Sequence, residues 1–245
     1  MRRWPSARAA AGFWLAAAIV VSTTVSRAAT ARGVTLRAAD NVMLAGTLYE
    51  ASARPAPAVV FLHMLGRSGA DWQSVANQLA DAGIHALALD FRGHGASEAG
   101  PRGPTGEQDL SKFVLDVQAA RAYLMARPDL ASRVGLAGAS VGANAAILAA
   151  AADAGIRSLA LLSPALDYRS LRVEAAMRQY GDRPALLVAG TDDPYALRSL
   201  RALALLGGGL RETRTLDHAG HGTTMLGREA DLSRTLVDWF QRTLL

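Results

Sequence analysis

Short apolar runs alternate with helix-like segments along most of this chain, and this alternation restricts its fold more than any other feature of the sequence. A continuous apolar run bounded by turn residues is the pattern of a strand buried on both faces. Such runs fall at 56–63, 84–90, 133–140, 157–164 and 184–190, and helix-like segments at 71–83, 109–127, 142–155, 168–181, 195–209 and 229–245. The alternation predicts a mostly parallel sheet with helices on both faces.

Two further segments complete the predicted sheet. Residues 33–50 read as two short strands around an Ala-Asp-Asn turn, which predicts an antiparallel hairpin. Residues 210–217 supply the last strand, and no repeat or low-complexity linker interrupts the pattern. We therefore predict one α/β domain with an eight-stranded, mostly parallel sheet. In such sheets the reactive groups gather at the carboxyl ends of the strands.

The first 31 residues have the composition of an export signal. A basic start is followed by the apolar run AAAGFWLAAAIVV and by small residues suited to cleavage near Ala29 or Ala31. The run is shorter than the roughly 20 residues that span a bilayer. We predict a signal peptide at 1–31, a folded domain at 32–245 and a periplasmic or secreted protein without stable membrane insertion. An uncleaved anchor is the alternative, and the Arg2-Arg3 pair leaves a twin-arginine route open.

Charge and cysteine content narrow the classes of function. The net charge is +5 and Lys112 is the only lysine, but the arginines are spread along the chain without interleaved aromatic residues. This distribution does not favour a nucleic-acid partner. The absence of cysteine excludes disulfides and a lipid anchor on cysteine. No feature of the sequence sets an oligomeric state.

The segment GLAGASVGANAA places a single serine, Ser140, among glycine and alanine where a predicted strand gives way to a helix. Gly138 and Gly142 make this a G-x-S-x-G motif in the strand–turn–helix context of a nucleophile elbow. There the serine adopts a strained backbone conformation, and larger residues at the glycine positions would collide with neighbouring elements. A packing seam of small residues is the alternative, but the context favours a nucleophile.

A serine nucleophile needs a base within hydrogen-bond reach and a carboxylate that orients the base. Asp192 and Asp193 directly follow the strand at 184–190, and His218 and His221 follow the last predicted strand. No further ligand cluster accompanies the two histidines, so we predict neither a metal nor a cofactor. The chain therefore carries candidates for nucleophile, acid and base in that order.

The sequence resembles the α/β-hydrolase superfamily over essentially all of the chain after the N-terminal segment. The resemblance rests on FLHMLGRSGADW, LDFRGHGAS, GASVG, VAGTDDP and HAGHG. It implies that Ser140 is the nucleophile, that Asp193 (three residues after Gly190) is the acid, and that His221 is the base. Asp192 then reads as a turn or helix-capping residue, and His218 is the alternative base.

The resemblance also implies an oxyanion hole made by two backbone amides. One is the N–H of Val141, and the other comes from the loop after the 56–63 strand, where Leu65 is preferred and Met64 is the alternative. The chain departs from the family there, because His63-Met64 replaces the common His-Gly pair. His63 reads as a structural residue that bonds within the loop, and His94 as a residue that holds its own loop.

The segment between the sixth and seventh strands, 165–183, is too short for the large lid of many relatives. The compact outline is similar to dienelactone hydrolases and small carboxylesterases, and an open cleft suits short or medium acyl groups. We therefore predict a serine hydrolase that cleaves a small-molecule carboxylic ester through an acyl-enzyme. A thioesterase, lactone hydrolase or peptidase with the same triad is the first alternative, and a non-catalytic ligand-binding protein of the same fold is the second.

Overall fold

A computed structural model describes residue 1 and residues 30–100, 108–127 and 133–245. The strands are β1 (Thr30–Arg37), β2 (Met43–Glu50), β3 (Ala58–Leu62), β4 (His85–Leu89), β5 (Val134–Ala139), β6 (Ile156–Leu162), β7 (Asp167–Tyr168), β8 (Leu171–Arg172), β9 (Ala185–Gly190) and β10 (Arg211–Leu216). The helices are α1 (Gln73–Asp81), α2 (Phe113–Met125), α3 (Val141–Ala152), α4 (Glu174–Tyr180), α5 (Pro194–Ala204), α6 (Met225–Arg228) and α7 (Leu232–Leu244).

Eight strands form one sheet in the order β1-β2-β4-β3-β5-β6-β9-β10. The β1–β2 and β2–β4 pairs are antiparallel, and the remaining pairs, from β4 through β10, are parallel. Every residue of β3, β4, β5 and β9 is buried, as the uninterrupted apolar runs predict for strands covered on both faces. The predicted eight-stranded, mostly parallel α/β fold is confirmed.

Two apolar layers cover the two faces of the sheet. On one face α2, α3, α4 and α5 pack over a cluster that includes Phe113, Ile147 and Leu203. On the other face α1 and α7 pack over a cluster that includes Trp72 and Trp239. Because α3 consists mainly of alanine and glycine, it lies deep in its layer and brings its N-terminus to the middle of the sheet.

The structure differs from the sequence prediction between β6 and β9. The segment 168–181 was expected to be one short helix, but its first part forms the two-stranded hairpin β7–β8 and only Glu174–Tyr180 is helical. Arg169 and Ser170 at the hairpin tip have positive φ angles of 46° and 71°, which no helix admits. No large lid is inserted here.

The predicted signal segment, 1–31, lies almost entirely outside the described residues. Strand β1 begins at Thr30, so the boundary between that segment and the domain stays a prediction. Within the described ranges, no helix has the length and apolar character that crossing a bilayer requires.

A buried ion cluster fastens the antiparallel edge of the sheet to the helical layer. The Arg92 guanidinium, 3% exposed, donates to Asp116 on α2 at 2.6 Å and to Asp40 in the β1–β2 turn at 2.6 Å. Asp116 is fully buried and also accepts the Arg92 backbone N–H at 3.0 Å. Three separate segments thus share one charge network, in which Arg92 and Asp116 are buried and Asp40 is 27% exposed.

Replacing Asp116 with asparagine is expected to lower the free energy of unfolding by about 3 kcal/mol, because it leaves part of the Arg92 charge buried without its partner. Urea denaturation at neutral pH measures the change. The matched control is Glu212→Gln, which breaks the more exposed Arg242–Glu212 pair and is expected to cost less than about 1 kcal/mol. Equal losses in the two variants would contradict this account of the cluster.

Candidate active site

Ser140 occupies a strained turn at the carboxyl end of β5. Its φ and ψ angles are 53° and −119°, and it is the residue that precedes the first turn of α3. A Cβ at Gly142 would lie 2.5 Å from the Leu62 carbonyl oxygen, and one at Gly138 would overlap the Gly142 carbonyl. Both positions therefore require glycine, and the predicted elbow geometry is present at this position.

His221 and Asp193 form a close pair on the loops that follow β10 and β9. Nδ1 of His221 lies 2.5 Å from Oδ2 of Asp193, whose other oxygen accepts the backbone N–H of Ala196 at 3.2 Å. Asp193 is thus both the N-cap of α5 and the partner of the imidazole. Because Asp193 holds Nδ1, the other ring nitrogen is available for proton transfer.

Asp192 has a different task from its neighbour. Its Oδ1 accepts the backbone N–H of Gly220 at 2.9 Å, and its Oδ2 lies 3.8 Å from the Arg228 guanidinium. The Gly220 hydrogen bond holds the pKa of Asp192 below its usual range. Of the two roles expected for Asp192, the structure shows the turn and not the cap: Asp192 lies in the turn before α5, whereas Asp193 caps that helix. Asp192 also binds the loop after β10 that carries His221, here called the histidine loop.

His218, the alternative base, is not among the residues that line the cleft around Ser140. Its side chain is 82% exposed, and the Asp217 carboxylate lies 3.8 Å from its Nε2. It has a positive φ of 47°, and its backbone N–H donates to Thr191 Oγ1 at 2.9 Å. The geometry therefore favours His221 over His218.

The two residues expected to supply oxyanion donors are Val141, which follows Ser140 in the chain, and Leu65, which lies in the loop after β3. Val141 is the first residue of α3, and the first amides of a helix have no acceptor within the helix. Leu65 lies in a turn closed by the hydrogen bond from Arg67 N–H to the Met64 carbonyl at 3.2 Å. Both Leu65 and Met64 line the cleft that contains Ser140.

His63 fixes the loop after β3, residues 63–68, which carries Met64 and Leu65 and is here called the oxyanion loop. Its Nε2 accepts the Phe91 backbone N–H at 3.0 Å, so Nδ1 carries the proton and donates to the Met64 carbonyl at 2.8 Å. The ring is fully buried, and this burial lowers the pKa of His63 to about 4. The predicted structural role is confirmed. His94 likewise bonds within its own loop, with Nδ1 3.0 Å from the Arg92 carbonyl oxygen.

Three of the candidate residues, Leu65, Ser140 and His221, line an open cleft of about 440 Å³ at the carboxyl ends of the strands. Its walls are mostly apolar, and the residues that line it are Met64, Leu65, Ser140, Ser163, Pro164, Ala165, Tyr168, Tyr195, Ala196 and His221. The structure brings Ser140 and His221 into this cleft but records no hydrogen bond between their side chains within the described residues. Catalytic hydrogen bonds are often long before substrate binds.

Sequence reasoning missed the residues that build the far wall of the cleft. Asn144 is fully buried on α3, where its Nδ2 donates to the Leu171 carbonyl at 3.0 Å and its Oδ1 accepts the Ala165 N–H at 3.0 Å. The Tyr195 hydroxyl donates to the Asp167 carbonyl at 2.9 Å. These bonds attach the β7–β8 hairpin to α3, which carries Asn144, and to α5, which carries Tyr195.

Ser163 was also missed. It follows β6 with a positive φ of 49°, is 1% exposed, and accepts the Gly222 backbone N–H at 2.9 Å. A polar residue that directly follows a buried strand was the available signal, as it was for Ser140. Ser163 ties the histidine loop to the centre of the sheet.

The fold and the Ser140 turn define an α/β hydrolase. The family model described as serine aminopeptidase, S33, matches residues 53–192, more than half of the chain. This chain therefore belongs to that family of hydrolases. The matched range contains Ser140 and the loop after β3 that carries Leu65, and it ends one residue before Asp193.

Solved structures with the same fold include hydrolases of several organisms. A dienelactone hydrolase from Anabaena variabilis has a TM-score of 0.75 at 20% identity, covering 89% of this chain and 100% of its own. An esterase from Pyrococcus furiosus has a TM-score of 0.70 at 18% identity, covering 89% and 92%. The esterase domain of a Rhodothermus marinus protein has a TM-score of 0.67 at 18% identity, covering 87% and 99%. A search of curated proteins gives no match.

The buried His63 predicts a specific pH dependence of stability. Its pKa is about 4 in the folded state and near 6.5 when exposed, so the unfolded chain binds a proton between these values and the folded chain does not. Stability contributed by His63 is therefore complete above pH 6.5 and falls as the pH is lowered toward 4. The variant His63→Gln is expected to lose stability less steeply over this interval, as measured by urea denaturation at pH 7 and pH 4.5. Parallel losses in wild type and variant would contradict the assignment.

Proposed function

We propose that this protein is a serine hydrolase that cleaves carboxylic esters of short-to-medium acyl chain through an acyl-enzyme intermediate. The observation that carries the proposal is the 2.5 Å Asp193–His221 pair, which opens onto the same cleft as the strained Ser140. The pair supplies an oriented base, and the elbow supplies a nucleophile aimed at solvent.

In the proposed reaction the Ser140 hydroxyl oxygen attacks the ester carbonyl carbon while His221 takes its proton. Asp193 stabilises the resulting imidazolium, and the amides of Val141 and Leu65 donate to the oxyanion. His221 then protonates the leaving alcohol as the carbon–oxygen bond breaks, which leaves an acyl-Ser140 ester. Water, deprotonated by the same imidazole, attacks this ester and releases the carboxylic acid and the free serine.

The cleft favours an ester over the free amino terminus of a peptide, although the matching family is described as an aminopeptidase. An aminopeptidase has to bind a protonated amine, and none of the ten lining residues is acidic. The nearby Asp167 carboxylate already pairs with Arg172 at 3.0 Å. An apolar, open groove of about 440 Å³ suits a short acyl group and its alcohol.

Replacing Ser140 with alanine is expected to abolish hydrolysis of p-nitrophenyl butyrate, with a loss of at least about 10³-fold in kcat, because no other nucleophile is positioned at the elbow. A fluorophosphonate probe should label wild type and not the variant. The control is Ser74→Ala, which removes an exposed serine hydroxyl on α1, outside the cleft, and should leave labelling of Ser140 intact. Undiminished turnover by the Ser140→Ala variant would refute the proposal.

The two candidate bases are separated by a matched pair of substitutions. His221→Gln is expected to reduce kcat by about 10³-fold or more because it removes the proton acceptor, whereas His218→Gln should leave kcat within about twofold. Steady-state kinetics with p-nitrophenyl butyrate measures both. Comparable losses in the two variants, or a loss only at position 218, would overturn the assignment of the base.

We also propose that the N-terminal segment directs export and is then removed. Its basic start, short apolar run and small residues near Ala29 support this proposal. N-terminal sequencing of the protein recovered from an exporting bacterial host tests it, because an intact Met1 would favour the uncleaved anchor.

A further inference from the structure

One carboxylate links the loop that carries Leu65 to the loop that carries His221. Asp71 lies in a single helical turn, Gly69–Trp72, after β3. On one side it accepts three hydrogen bonds from the Arg67 guanidinium, at 2.7, 3.0 and 3.1 Å. On the other side it accepts the Thr223 hydroxyl at 2.5 Å. These two partners stand 156 positions apart in the sequence, yet they share one acceptor.

This contact closes across the middle of the sheet. The oxyanion loop leaves β3 and the histidine loop leaves β10, and three strands, β5, β6 and β9, separate them. The four strand spacings between β3 and β10 amount to roughly 19 Å. The two loops can therefore meet only because each extends toward the other across the ends of the strands between them. The Asp71–Thr223 bond is formed where they meet.

The hydrogen bond between Asp71 and Thr223 is largely shielded from water. The Asp71 side chain is 11% exposed, and Thr223 is 6% exposed. Burial acts to raise the pKa of Asp71, but the hydrogen bonds from Arg67 and Thr223 outweigh burial and keep that pKa below its usual range. The carboxylate therefore stays ionised at neutral pH, when its charged hydrogen bonds are strongest.

Packing at the same junction points to the same coupling. A Cβ at Gly222 would lie 2.7 Å from the Met64 sulfur, so the Met64 side chain rests against the backbone next to His221. Met64 stands where the resembling family commonly has glycine. Its side chain thus fills the space between the oxyanion loop and the histidine loop, and Asp71 fastens those loops on their outer side.

We propose that Asp71 is a positioning residue that keeps the oxyanion donor and the base in register by joining Arg67 to Thr223. The inference rests on the proposed esterase function, and it adds a role for three side chains that do not line the cleft. Asp71 touches no reacting atom; it acts through the positions of Leu65 and His221. Misplacement of such groups by about 1 Å is enough to lower a rate up to 10²-fold.

The test removes only the hydroxyl that joins the two loops. Thr223→Val keeps the shape of the side chain and is expected to lower kcat for p-nitrophenyl butyrate by about tenfold while KM changes less than about threefold. Thr223→Ser restores the hydroxyl and should recover most of the lost kcat. The matched control is Thr243→Val, which removes a threonine hydroxyl bonded to Ser158 at 2.8 Å, away from the cleft.

Hydrogen exchange separates this proposal from the proposed function. Amides of 64–71 are expected to exchange faster in Thr223→Val than in wild type or Thr243→Val, although the substitution lies in the other loop. A wild type that hydrolyses no ester would defeat the proposed function, and the exchange result would still decide the link. Unchanged exchange in 64–71, or a kcat for Thr223→Val within twofold of wild type, would overturn the proposal.

Discussion

The structure depends on the close approach of helix α3 to the carboxyl ends of β3 and β5. Gly142 lies against the carbonyls of Leu62 and His63 so closely that no side chain fits between them. The same approach places Ser140, in its strained conformation, directly before the first turn of α3. An alanine-rich helix follows because any bulkier helix would be held away from the sheet. The strained turn at Ser140 and the packing of α3 against the sheet therefore share one steric cause.

Loops at the carboxyl ends of the strands are held mainly by carboxylates that accept backbone N–H groups. Asp90 accepts the amides of Gly69 and Ala96, and Asp192 accepts that of Gly220. A carboxylate offers several acceptor positions, so one short side chain can fix a loop that has few apolar contacts of its own. This is how a small hydrolase without a large lid keeps its cleft-lining loops ordered.

The sequence allowed the sheet and the first residues of the site to be predicted because both depend on local patterns. Apolar runs give buried strands, and glycines on both sides of Ser140 give the elbow. The preference for Asp193 came from the resemblance to the α/β hydrolases, which implies an acid three residues after Gly190, and its capping of α5 was not foreseen. Asn144 and the Asp71–Thr223 bond could not be predicted, because their partners come from segments distant in sequence and no local pattern marks them. The β7–β8 hairpin was missed since Arg169 and Ser170 give no sign of their positive φ angles.

The short connection between β6 and β9 has a consequence for how substrates are selected. A large lid would add apolar surface over the cleft, but here one part of the wall, which includes Tyr168, is a two-stranded hairpin held by Asn144 and by Tyr195. Tyr195 lies in the first turn of α5, two residues after the N-cap Asp193, so the wall and Asp193 share one helix start. The width of the cleft is thereby linked to the placement of the Asp193–His221 pair. Under the proposed mechanism, substitutions in the wall should thus alter turnover as well as affinity, because Tyr195 and Asp193 lie in the same helix start.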